Sequence, residues 1–136
     1  MALASLCLGS AAAAAGRSKA PPTRFDLDCN LHHIVKQKTR NAGRKHLRID
    51  LDSGRWCEDL CEQVYTLKTG EDRVELTAPP PEMPPTTIQR QVSINRKSGR
   101  LLDERRIFMD DTLVSMDTWF GECKLARYTG VDRKLF

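Results

Sequence analysis

The sequence contains no G-x-S-x-G elbow, no H-E-x-x-H and no glycine-rich phosphate loop, so the local signatures of serine hydrolases, zinc proteases and nucleotide-binding enzymes are missing. Past its opening residues it has no apolar run approaching the ~20 residues that a membrane-spanning helix needs. Helical periodicity is scarce, and no strand-helix-strand pattern surrounds the C-x-x-x-C formed by Cys57 and Cys61. That argues against thioredoxin-like redox chemistry, which uses C-x-x-C at a helix start. A second cysteine doublet is lacking too. Only Cys123 follows, which fits no common zinc spacing even with His32, His33 or His46 as further ligands. The chain is 136 residues long, 40% hydrophobic and 29% charged. It therefore has room for one domain with a modest core, in which cross-links matter.

What is present begins with "MALASLCLGSAAAAAG", residues 1–16, uncharged throughout and ending in small residues that offer A-x-A cleavage sites near Ala15. This reads as a secretory signal peptide, although the usual basic n-region is missing. A lipidated Cys7 is disfavoured because bulky Leu6 stands where a small residue normally precedes the modified cysteine. A transit peptide is the competing reading, since no acid precedes Asp26, but the first basic residue is Arg17 and transit peptides scatter arginine throughout. Export to a periplasmic or extracellular space is thus expected, with a flexible mature N-terminus at 17–23 and a single β-domain at 24–136. The net charge of +4 survives cleavage, because every charged residue lies beyond Gly16.

Removal of the leader leaves Cys29, Cys57, Cys61 and Cys123. In a thiol-oxidising compartment four cysteines allow three pairings. Cys29 falls early in the first expected strand and Cys123 late in the last, so Cys29 with Cys123 and Cys57 with Cys61 is preferred. The long bridge would staple the fold end to end, and the short one would fix a tight corner.

From Phe25 the apolar residues alternate with polar ones: Phe25, Leu27, Cys29 and Leu31 against Asp26, Asp28 and Asn30. This is the period of a strand with one buried face. Leu47, Ile49 and Leu51 repeat it, as do Val74 with Leu76, and Ile88, Val92 and Ile94. "RIDLDSGRW" and "SINRKSGRL" each place Asp or Asn before Ser-Gly-Arg, the chemistry of a hairpin turn with glycine at positive φ. A third turn is expected at Gly70. "TAPPPEMPPTT", residues 77–87, has five prolines in eleven residues and reads as an extended surface crossover between two halves. The expected fold is all-β: a small antiparallel barrel or sandwich of about seven or eight short strands, disulfide-stapled.

The set "FDLDC", "RIDLDSGRWC" and "GEC" resembles small exported bacterial proteins of unassigned function with the pattern F-x-L-x-C, G-R-W-C and G-x-C, a resemblance that covers most of the chain after Arg24 and implies no activity. In layout alone, a small barrel with cross-linked first and last strands is also similar to periplasmic inhibitors of c-type lysozyme. The inhibitory loop motif of that family has no match here, and a basic inhibitor would repel a basic lysozyme.

Residues 36–48 carry Lys36, Lys38, Arg40, Arg44, Lys45 and Arg48 with no acid. Such a run can hold phosphates or sulfates, and its simplest structural reading is a solvated hairpin loop around "NAG". It has no aromatic side chains to stack on bases, so nucleic acid is not the expected partner. His32 and His33, as strand neighbours, point to opposite faces. Glu58 with Asp59 and Asp110 with Asp111 fall at expected turns. The favoured function is therefore a non-enzymatic exported β-domain, without metal or cofactor, that binds or protects. Anionic envelope polymers or lipid headgroups are the candidate partners, contacted through the basic residues. The alternatives are an intracellular or organellar metal- or nucleic-acid-binding protein, and a hydrolase with an unfamiliar site.

Overall fold

The computed structural model describes residues 20–79 and 83–131. The expected leader at 1–16 lies outside the described residues. Eight strands follow one another: β1 (Arg24–Val35), β2 (Lys38–Asp50), β3 (Arg55–Glu58), β4 (Tyr65–Thr69), β5 (Arg73–Leu76), β6 (Thr86–Asn95), β7 (Arg100–Met109) and β8 (Thr112–Ala126). Each pairs antiparallel with the next, and β8 returns to β1, so the sheet closes into a barrel.

The turns show why the chain reverses where it does. Asp50 Oδ1 accepts the Ser53 amide at 3.1 Å, and Asn95 Oδ1 accepts those of Lys97 and Ser98 at 2.9 Å each. Gly54 and Gly99 then take φ of 66° and 71°, where a Cβ would be strained. At Gly99 a Cβ would also lie 2.8 Å from the Cys123 carbonyl oxygen. The first hairpin differs from the sequence expectation. Its reversal is at Lys36 and Gln37, both at positive φ, and Asn41 to Gly43 lie inside β2. "NAG" instead marks the register shift opposite Leu31 and His32, with Asn41 Oδ1 accepting the Gly43 amide. Pairing from Arg24↔Asp50 to Val35↔Lys38 holds two non-glycine residues in a conformation they rarely adopt alone. The proline-rich segment likewise connects the neighbouring strands β5 and β6 rather than two halves, and Ala78 within it is buried.

Alternating residues point inward. Leu27, Leu47, Ile49, Trp56, Leu67, Val74, Leu76, Val92, Ile94 and Leu101 form one core. Trp56 is fully buried, and its indole N–H is shared between the carbonyls of Thr66 and Thr77 at 3.1 and 3.2 Å, which satisfies the one polar atom it brings inside. Cys29 and Cys123 face each other across the β1–β8 seam, Cα atoms 4.0 Å apart, and are disulfide-bonded. Two residues along, Gly121 lets the strands approach: a Cβ there would sit 1.9 Å from the Asn30 carbonyl oxygen.

Strand lengths are unequal. β3 to β5 are four or five residues long, whereas β1, β2, β6, β7 and β8 are ten to fifteen. All eight strands enclose the end carrying the 51–54 and 96–99 turns. Towards the other end β2 pairs with β3 only from Leu47 to Asp50, and β6 with β5 only from Val92 to Asn95. Beyond those points the sheet is an open five-stranded surface in the order β2, β1, β8, β7, β6.

After β8 the chain crosses the outer face of β1 to β3. Thr129 donates its amide and its hydroxyl to the Asp26 carboxylate, and Arg48 donates to the Gly130 carbonyl at 3.3 Å. Val131 is buried against the Cys57–Cys61 disulfide, with Tyr128 beside it. The short bridge thus fixes a corner, with Asp59 and Cys61 at positive φ, and also seats the end of this strap.

Candidate functional site

The structure divides the six basic candidates. Lys45 faces inward and pairs with Glu58 at 3.3 Å. Arg48 is held on the outer face by the carbonyls of Gly130 and Asp59. Arg44 is exposed and donates its Nε–H to Asn30 Oδ1 at 3.2 Å. Lys36, Lys38 and Arg40 remain exposed at the tip of the β1–β2 hairpin, without an ion pair among the described residues. They cannot act as one patch of six.

Between the core and the open sheet lies a polar layer. Arg90 donates Nη2–H to Asp103 Oδ2 at 2.7 Å and to Glu58 Oε1 at 3.1 Å, and its Nε–H to Asp103 Oδ1 at 3.1 Å. Burial lowers the affinity of Arg90 for its proton, but the two carboxylates outweigh this and hold its pKa above the ordinary arginine value. Next to this cluster Trp119 sits on β8 between β1 and β7. His33 stacks on it with ring centroids 4.1 Å apart and planes 2° from parallel, and the Arg105 guanidinium lies 4.4 Å from the indole centroid. His32 points the other way, against Phe120. The indole therefore has its faces occupied, and the layer closes the interior rather than presenting a platform. Sequence reading missed Arg90 and Asp103. Their signal was positional: each stands two residues from a core side chain, Val92 and Leu101, on the inward alternation.

On the outer face His46 is bracketed by two carboxylates, Nδ1 to Asp28 Oδ1 at 2.6 Å and Nε2 to Asp26 Oδ2 at 2.7 Å. The Asp28 bond raises its pKa above 6.5, partial burial opposes this, and Asp26 adds to the rise. This cluster holds the strap. No group of three His, Cys, Asp or Glu side chains suited to a metal ion occurs among the described residues.

The feature best shaped to take a ligand is at the eight-stranded end. A cavity of about 440 Å³ opens there between Pro21 and Pro22 on one side and the 95–99 turn on the other. Its floor is core: Leu27, Ile49, Val74 and Ile94. Phe25, Leu51 and Leu125 form the walls, and among the described residues the charged ones of its lining are Arg96, Lys97 and Lys124, with no acid. Barrel mouths of this size, apolar within and with a few polar groups at one side, are common positions for small-molecule sites. Lys97 pairs with exposed Asp72 at 3.0 Å, an ion pair that exchanges at little cost, and Arg96 donates to the Gly70 carbonyl at 2.9 Å.

Fold and sites together define an eight-stranded antiparallel barrel with disulfide-bonded first and last strands and an apolar, cation-rimmed mouth. No family model matches the chain, nor does any curated protein or any solved structure. No helix among the described residues is long and apolar enough to cross a membrane.

Proposed function

We propose that this protein is an exported, non-enzymatic binding barrel that takes a single-chain amphiphile, apolar tail inward and anionic head outward, at its eight-stranded mouth. The carrying observation is the lining of the cavity, which among the described residues has apolar side chains and three cations with no acid. An apolar chain gains from leaving water against Phe25, Leu51 and Ile94, and a carboxylate or phosphate finds a cationic rim. Two disulfides and an uncharged opening segment support export. Intact mass of the native protein tests that part: a mature chain starting near Gly16 with its thiols oxidised is expected, and a chain that keeps Met1 with reduced cysteines refutes it.

Titration calorimetry with dodecanoate, below the concentration at which it aggregates, tests the site. One-to-one binding is expected. Leu51→Trp, which fills the cavity, should abolish it, and Lys124→Glu should weaken it about tenfold, an exposed attraction being replaced by a repulsion. No binding, or binding indifferent to Leu51→Trp, refutes the site. A second reading, electrostatic contact of Lys36, Lys38, Arg40 and Arg44 with an anionic polymer, is favoured by their exposure on a single hairpin. It requires binding that falls steeply with salt and disappears when these four residues are neutralised.

A further inference from the structure

The open end of the barrel carries an unpaired edge with an unusual surface. β1 pairs with β8 as far as Ile34↔Thr118 and ends one residue on at Val35, so among the described residues Thr112 to Met116 of β8 have β7 on one side and no strand on the other. The β7–β8 hairpin thus projects past the β1–β2 tip at Lys36 and Gln37 by about 13 Å, roughly four residues at the rise of an extended strand. The two edges at this end are treated differently. The free stretch of β2 bears Lys38, Arg40, Arg44 and Lys45, charges of the kind that discourage edge-to-edge association. The free stretch of β8 bears no cation. Its Leu113, Val114 and Met116 are 52, 55 and 52% exposed, and Met109 across the hairpin is 49% exposed. Apolar side chains half in water on a projecting edge mark a contact surface.

Charge identifies the occupant. The hairpin ends in Asp110 and Asp111, both at positive φ, and the neighbouring β1–β2 hairpin ends in Lys36, Gln37 and Lys38. A strand laid antiparallel against the free β8 edge fills the space that β1 vacates beyond Val35. If that strand is β8 of a second copy, its leading turn arrives where β1 ends, so Asp110 and Asp111 of one copy meet Lys36 and Lys38 of the other. The same contact recurs on the other side of a two-fold axis, as a self-complementary interface requires. An anionic membrane does not suit this arm, because its acidic tip would lead the insertion. We infer that the β7–β8 arm is a homodimer interface, in which two copies lie side by side about a dyad near Leu113 and Val114. The register shift at Val114 limits the backbone bonds the edges can share, so the apolar side chains carry much of the contact.

This inference is independent of the amphiphile site at the opposite end. Sedimentation velocity of the full mature chain, up to about 1 mM, should show a dimer of twice the monomer mass. Leu113→Asp with Met116→Asp should give a monomer, and circular dichroism should show unchanged strand content, since both side chains are already exposed. Lys36→Glu with Lys38→Glu should weaken dimerisation at least tenfold. Adding Asp110→Lys with Asp111→Lys to that variant should restore it, because the exchanged charges are again opposite. Lys36 itself shows that lysine takes the positive φ these turn positions need. A chain that stays monomeric throughout, a dimer insensitive to the Leu113 and Met116 changes, or a charge-exchanged variant that fails to recover each overturns the inference. Loss of binding to an anionic polymer without recovery in the exchanged variant would assign Lys36 and Lys38 to the polymer instead.

Discussion

The two disulfides differ in the length of chain they close, and this sets a measurable difference in what each contributes. Cys29 and Cys123 are 94 residues apart, Cys57 and Cys61 only 4. In the chain-entropy description, the long bridge removes enough freedom from the unfolded chain to stabilise the fold by about 4.7 kcal/mol at 25 °C, and the short bridge by about 2 kcal/mol. Cys29, Cys57 and Cys61 are all buried, and Cys123 packs against the core. Replacing either pair by alanine therefore deletes buried sulfur of similar extent, and the packing losses largely cancel when the variants are compared. Cys29→Ala/Cys123→Ala should be less stable than Cys57→Ala/Cys61→Ala by about 2.5 kcal/mol. Urea unfolding followed by tryptophan fluorescence measures this, provided each variant is extrapolated with its own slope. That slope should rise when the long bridge is lost, because the unfolded chain then exposes more surface. Equal stabilities, or a short-bridge variant that is the weaker of the two, would refute the loop argument and show that seating Val131 outweighs closing the β1–β8 seam.

The polar layer and the strap give further expectations. Arg90→Met leaves the Asp103 carboxylate buried without its main partner and should cost about 3 kcal/mol in chemical unfolding. Arg90→Met with Asp103→Leu should recover most of that loss, and failure to recover would mean that the layer does more than satisfy its own charges. His46 has a pKa raised in the folded state, so the protein holds that proton more tightly when folded. The resulting stability is complete below about pH 6.5 and fades as the pH rises through the raised value. The melting temperature of the wild type relative to His46→Gln should therefore fall as the pH rises above about 6.5, and parallel profiles would refute the assignment.

Much of the barrel is legible in the sequence because its signals are local. Alternation in "FDLDCNL" sets the inward face of β1, and two Asx-type turns before Ser-Gly-Arg place the reversals after β2 and β6. The position of Cys29 and Cys123 at the ends of the strand series anticipates their bridge. The first turn was not legible, since Lys36 and Gln37 carry no turn chemistry and adopt positive φ only because long flanking strands impose it. The strap was equally hidden: Thr129 and Asp26 are 103 residues apart, and no local pattern links them. The mouth cavity draws its walls from residues 21–25, 49–51, 94–99 and 123–125, stretches that only the closed topology brings together. The basic run was visible as composition, but its division into inward Lys45, outward Arg48 and a free tip depends on strand register.

Closure of the seam by Cys29 and Cys123 also limits how this polypeptide can travel. With the bridge formed, the whole stretch from Cys29 to Cys123 lies within a covalent ring, and tension applied at the two ends of the chain passes through a sulfur–sulfur bond instead of peeling the strands apart. A machine that threads proteins as single extended strands can pass the reduced form but meets a doubled strand in the oxidised one. Oxidation therefore acts as a ratchet, fixing the molecule on whichever side of a barrier it was first folded.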